Sequence, residues 1–211
     1  MVSDEFVSRP FLLVGLGNPG PQYEKTRHNV GFRMLDQLAD AFAAGPEEDG
    51  PGYRLSRARF EETDLVLVRP LTYMNRSGEA LDRIPESALA GPERHLIMID
   101  DISLPFGAIR FRARGSSGGQ KGLASVLQHL GTAEVPRLRL GVGDRDRETD
   151  LRDYVLEGFS VQEEKLIEPW LNKAVEGVKT MLSHSIQKAM SLYNSTPTNQ
   201  NPEELGKEEK S

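Results

Sequence analysis

The apolar run from Phe11 to Val14 ends in a glycine-rich loop, and a continuous hydrophobic stretch bounded by turn residues predicts a short strand covered on both faces. A loop from Gly15 to about Arg27 follows. Val30, Met34, Leu35, Leu38, Ala39 and Phe42 then recur at helical spacing, with Asn29 in position to serve as the N-cap. Gly45 to Gly52, with Pro46, Glu47, Glu48 and Asp49, has the composition of a surface loop. Tyr53 to Phe60 and Leu65 to Val68 read as two strands that can pair as a hairpin, and Pro70 ends the second.

Asn75, Ser77 and Gly78 lead into a short helical pattern through Ala80, Leu81 and Ile84, and His95 to Asp100 is the next apolar strand, closed by Asp100. Ile109 to Ala113 alternates apolar residues with arginine, which predicts a half-exposed strand. After the glycine and serine run 115–119 comes a helix carrying Leu123, Val126, Leu127 and Leu130, then a strand from Leu138 to Val142. From Val161 to about Tyr193, Leu166, Trp170, Ala174, Val178, Met181 and Leu182 form the apolar face of one long amphipathic helix or two. The polar stretch from Thr196 to Ser211 predicts a disordered tail.

Strands interspersed with helices, without an internal repeat, predict an α/β fold in which a mixed twisted sheet is sandwiched between helices. The expected organisation is one domain over residues 10–195, an N-terminal extension 1–9 and a tail 196–211. No apolar run approaches the roughly 18 residues of a membrane helix. The absence of cysteine removes disulfides, thiolate metal sites and cysteine nucleophiles, and suits a reducing cytoplasm. The N-terminal residues lack the pattern of a signal or transit peptide, so a cytoplasmic location is expected. His28, His95, His129 and His184 have no short metal-ligand spacing, and no metal is expected.

A net charge of −6 argues against a protein that coats nucleic acid indiscriminately. Between Phe106 and Gly143, however, six cations (Arg110, Arg112, Arg114, Lys121, Arg137, Arg139) face one acid, Glu134, a local net of +5 that leaves −11 elsewhere. Alternation along the predicted strand puts Arg110, Arg112 and Arg114 on one face, to which Arg139 can add, as a surface for phosphates.

Gly15-Leu16-Gly17-Asn18-Pro19-Gly20 matches the dinucleotide-binding pattern G-x-G-x-x-G directly after a strand, but its context does not. The helix opens only at Asn29, Pro19 removes an N–H that a pyrophosphate would need, and Asp36 falls inside the helix and not at a strand end. A tight turn explains the glycines. It leaves Asn18, whose carboxamide can offer both a donor and an acceptor to a carbonyl or a water.

Together with Tyr23 and Thr26-Arg27-His28-Asn29-Val30-Gly31, this segment resembles the opening signature of bacterial-type peptidyl-tRNA hydrolases. Arg69 to Gly78, Asp100 to Pro105 with Gly107, Gly118-Gly119-Gln120-Lys121-Gly122-Leu123, Arg137 to Gly143 and Tyr154-Val155-Leu156 resemble the later blocks of that family in order, so the resemblance covers roughly residues 10 to 192. It implies a monomeric single-domain enzyme without metal or organic cofactor. The implied reaction is cleavage of the ester joining a peptide to the 3′ ribose of tRNA. A silent relative that binds RNA without turnover is the alternative.

Within that resemblance His28 is the expected general base. Its position just ahead of a helix N-terminus disfavours added positive charge and so favours the proton-accepting imidazole. Asp100 matches the family's acid and would fix the imidazole tautomer, with Asp101 as a rival. Asn18 and Asn75 are the expected orienters of water and carbonyl, Asn75 having helix capping as its other reading. Tyr23 would stack on ribose or terminal base, and Met74 would shape the peptide side of the pocket. Positions matching Arg112 and Arg139 clamp the 5′ phosphate in the family. Where many members carry asparagine after the glycine pair, this chain has Gln120-Lys121, and Lys121 is expected to reach an acceptor-end phosphate.

Overall fold

The computed structural model describes residues 9–85, 91–143 and 150–194. The expected N-terminal extension, Arg9 excepted, and the tail lie outside the described residues. Five apolar or glycine residues form β1 (Phe11–Gly15), and Leu12, Leu13 and Val14 are fully buried, as expected for a strand with both faces covered. Its neighbours are β4 (Thr63–Pro70) and β5 (His95–Pro105), both parallel to it, and β5 runs parallel to β7 (Arg137–Gly143). Antiparallel strands complete the two sides: β2 (Glu48–Gly50) and β3 (Tyr53–Phe60) beyond β4, and β6 (Ile109–Arg112) beyond β7. The seven-stranded order is β2-β3-β4-β1-β5-β7-β6, a mixed sheet as expected.

Period-2 alternation divides the core between the two faces. Leu13, Leu65, Leu67, Leu96 and Met98 pack against α1 (Val30–Ala41) and α5 (Val161–Ser183), whose Val30, Met34, Leu38, Ala174 and Val178 are buried. Leu12, Val14, Val66, Val68, Ile97 and Ile99 pack on the other side with Leu81 of α2 (Ser77–Leu81) and Leu123 and Val126 of α3 (Lys121–Leu130). Burying one such aliphatic side chain is worth about 1.5–3 kcal/mol, so each face carries its own substantial driving force. The result is a single α/β domain with helices on both sides of the sheet.

Several sequence expectations shift. Glu48 to Gly50, expected as surface loop, pair with Tyr53 to Leu55 as the short edge strand β2. Asp100 does not end its strand. β5 continues to Pro105 because β7 still pairs with it at Asp101 and Pro105, with an irregularity in register between them. β6 stops at Arg112, so Arg114 leaves the arginine face and pairs instead with Glu134 at 3.4 Å. The C-terminal pattern resolves into two helices, α5 and α6 (Ile186–Tyr193), and a further helix, α4 (Leu151–Leu156), precedes them. α5 opens with a capping box in which Ser160 and Glu163 satisfy each other's backbone N–H groups. No helix among the described residues is long and apolar enough to cross a membrane.

Candidate active site

The last register pair of β1 with β5 is Gly15 with Met98, at the carboxyl end of parallel strands, where open α/β sheets commonly bind ligands. A cleft of about 650 Å³ lies there, bounded by the loop after β1, the turn after β4, Asp100 and Asp101 of β5, the start of α3 and the end of α4. His28, Asp100, Asn18, Asn75, Met74, Lys121 and Arg139 all line it.

His28 lies on a one-turn 3-10 helix, Arg27–Asn29, that runs into α1. Its Nδ1 is 2.9 Å from Oδ2 of the buried Asp100, and its side chain keeps 16% of its exposure. A carboxylate can only accept, so Nδ1 carries the proton and Nε2 presents a lone pair. Asp100, 72 residues away, thus sets the tautomer.

Arg27 holds this turn against the C-terminal part of the chain. Its guanidinium donates to the carbonyl of Gly158 at 2.5 Å, pairs with Glu163 at 3.0 Å and lies 4.5 Å from the Tyr154 ring centroid. It ties the His28 turn to α4, whose Val155 and Leu156 form an apolar wall of the cleft.

Asn29 is the N-cap residue of α1, as expected, but its side chain makes no capping bond. Its carboxamide instead brackets Asn18, accepting from the Asn18 N–H at 2.8 Å and donating to the Asn18 carbonyl at 2.9 Å. This reciprocal pair ties the glycine loop to the His28 turn. The Asn18 Oδ1 in turn accepts the Met74 N–H at 2.8 Å, which leaves its NH₂ as the group available to an acceptor in the cleft. Asn75 lies within the 3-10 turn Met74–Arg76 and is exposed; the residue at the N-cap of α2 is Arg76, so the capping reading of Asn75 does not apply.

The basic zone is less uniform than its sequence. Arg137, two residues from Arg139, is buried and donates to the carbonyls of Val135, Gly115, Ser116 and Ala133. Burial and its neighbour Arg139 push its guanidinium below the ordinary arginine range. It therefore organises two loops and does not belong to a phosphate surface. Arg139 is half-buried with its Nε 2.5 Å from Oδ2 of Asp101, so the rival aspartate is engaged with an arginine and not with His28. Arg112 is exposed, and among the described residues no carboxylate pairs with it. Antiparallel register puts Arg110 opposite Arg139 and Arg112 opposite Arg137.

Tyr23 is not among the residues that line the cleft; its carbonyl accepts from Thr26 in the turn before His28. Sequence reasoning missed Gln120, whose carboxamide touches Asp100, and the exposed Tyr73 and Leu156 at the cleft mouth. Only the place of Gln120 immediately before a predicted helix hinted at a polar task. Among the described residues no three His, Asp or Glu side chains gather as metal ligands.

The family model described as peptidyl-tRNA hydrolase matches residues 12–202. The chain is 42% identical over 184 residues to the peptidyl-tRNA hydrolase of Aquifex aeolicus, covering 87% of this chain and 95% of that protein. It is 41% identical over 205 residues to that of Trichodesmium erythraeum, covering 92% of each. A crystal structure of peptidyl-tRNA hydrolase from Acinetobacter baumannii superposes with a TM-score of 0.81 at 32% identity, covering 89% of this chain and 95% of that one.

Proposed function

This chain belongs to the peptidyl-tRNA hydrolase family, and on that premise we propose that it hydrolyses the ester between a peptide and the 3′ ribose of tRNA with His28 as general base. The observation that carries the mechanism is the 2.9 Å bond from His28 Nδ1 to Asp100, which leaves Nε2 free to accept a proton. Nε2 takes a proton from water as the water oxygen bonds to the ester carbonyl carbon and the carbonyl electron pair moves onto oxygen. When that tetrahedral species collapses, the bond to the ribose oxygen breaks and the imidazolium returns its proton to that oxygen. The products are a peptide acid and a tRNA hydroxyl. Asp100, acting through His28, stabilises the imidazolium in between.

The Asn18 NH₂ and the exposed Asn75 amide are the donors for the oxyanion, since neutral amides donate without competing for the transferred proton. Met74 forms part of the floor. Lys121, the exposed first residue of α3, lines the cleft and is the proposed partner of an acceptor-end phosphate. That His28, Asp100, Asn18 and Asn75 line one cleft favours turnover over a silent RNA-binding role. We take the chain to act as a monomer in the cytoplasm, where peptidyl-tRNA is made. The direct test is release of peptide from purified peptidyl-tRNA, with free aminoacyl-tRNA in parallel to report selectivity. Absence of release would remove the proposal.

Arg112 and Arg139 are the proposed clamp for the 5′ phosphate, and they are unequal. Arg112 has its charge free among the described residues, whereas Arg139 must exchange Asp101 for a phosphate. Affinity for tRNA is expected to fall with salt, and Arg112→Ala with Arg139→Ala should reduce the log–log salt slope by about one for each phosphate that is no longer neutralised. Arg112→Ala alone is expected to account for most of that reduction. An affinity and slope unchanged in the double variant would sink the clamp.

A further inference from the structure

We infer that Gln120 is a positioning residue for the reaction, a role that rests on the hydrolysis proposed for His28: while capping α3, Gln120 grips the second oxygen of Asp100 and so fixes the imidazole of His28. Gln120 Nε2 donates to Asp100 Oδ1 at 2.9 Å, and Gln120 Oε1 accepts the Leu123 N–H at 2.7 Å. These two bonds settle the amide's orientation, because the flipped form would set oxygen against carboxylate and NH₂ against N–H. Nε2 also lies 3.4 Å from the Met74 sulfur.

Carboxylate rotation about its last bond is soft, so a single bond on Oδ2 would leave the Asp100 plane poorly determined. With His28 on Oδ2 and Gln120 on Oδ1, both oxygens are held and the plane is set. Asp100 is only 5% exposed, so water is poorly able to replace either donor. The donor is also neutral. A lysine or arginine there would compensate the carboxylate, whereas an amide orients it and leaves its charge to face the imidazolium.

Residue type and surroundings point the same way. Ser, Thr, Asp and Asn are the preferred N-caps, and a cap alone would be served by any of them. The longer arm of glutamine is what spans from the helix end to Asp100. Gly122 keeps the space open, since a Cβ there would collide with the Met74 sulfur and lie 3.1 Å from Gln120 Oε1.

Gln120→Ser retains a helix cap and loses the reach to Asp100, and Gln120→Glu retains the cap acceptor while setting an anion against the carboxylate. Two readouts are taken on each full-length variant: the ring ¹⁵N shifts of His28, which report the tautomer without turnover, and steady-state cleavage of peptidyl-tRNA against pH. In Gln120→Ser the ring should pass from a single Nδ1–H form to a mixture, with kcat down about tenfold, KM unchanged and melting close to wild type. In Gln120→Glu the acid limb of the kcat profile should move to higher pH, because added negative charge stabilises the imidazolium. A wild-type ring spectrum and wild-type kcat in Gln120→Ser would reduce Gln120 to a helix cap and overturn the inference. A wild-type protein with the Nδ1–H ring but no cleavage would instead defeat the functional reading and leave the positioning intact.

Discussion

His28→Ala is expected to lower kcat for peptidyl-tRNA cleavage by about a thousandfold, within the range general-base catalysis contributes and equivalent to about 4 kcal/mol of barrier. The reason is the single lone pair at Nε2, created by the Asp100 bond to Nδ1, for which no other imidazole among the described residues of the cleft can substitute. His28 is partly exposed, so its removal leaves no large void and the melting temperature should stay close to wild type. Residual activity above that of water should persist, because the Asn18 and Asn75 amides remain. A purified His28→Ala protein with kcat within a few-fold of wild type would show the mechanism to be misassigned.

Gly31→Ala should abolish folding or cost more than about 4 kcal/mol, the range of the most damaging core changes. A Cβ at this position would collide with the Leu16 carbonyl oxygen and lie 2.6 Å from that of Met98 and 2.7 Å from the Leu16 nitrogen. All three are main-chain atoms, so no side chain can rotate out of the way. From the other side, a Cβ on Gly15 would collide with the Gly31 carbonyl oxygen, so these two glycines form one close crossing of α1 over β1. The crossing lies just past His28 in the chain, which makes it part of what holds the His28 turn against β5. Gly45→Ala is the matched control, since its Cβ would meet only the Arg57 oxygen at 3.6 Å. Urea unfolding should find the control near wild type; a Gly31→Ala protein as stable as the control would refute the close crossing.

The parallel strands are legible in the sequence because burial on both faces demands unbroken apolar runs, as in Phe11 to Val14 and in Leu96 to Ile99. Asp100 reads as a strand end because two carboxylates usually stop a buried strand. The strand continues because β7 still pairs with it and each acid is matched, Asp100 by His28 and Gln120, Asp101 by Arg139 and Ser103. Local propensity gives way to pairing. Asn29 has the sequence signal of an N-cap, yet its amide is used on the Asn18 main chain. Nothing in the alternation of Arg137 and Arg139 distinguishes them, but one is buried among carbonyls and the other lines the cleft.

By itself the sequence determined the α/β class and the family, and it singled out His28, Asp100, Asn18, Asn75, Lys121 and Arg139, which the fold places around one cleft. These follow from residue type, period and ordered motifs, which are local properties of the chain. Only the tertiary structure decided which nitrogen of His28 meets a carboxylate, which aspartate supplies it, and that Gln120 stands behind that aspartate. Those choices depend on hydrogen-bond partners 72 and 20 residues apart in the chain, whose distances are set by the packing of α1 and α3 on the sheet and by no pattern within either segment.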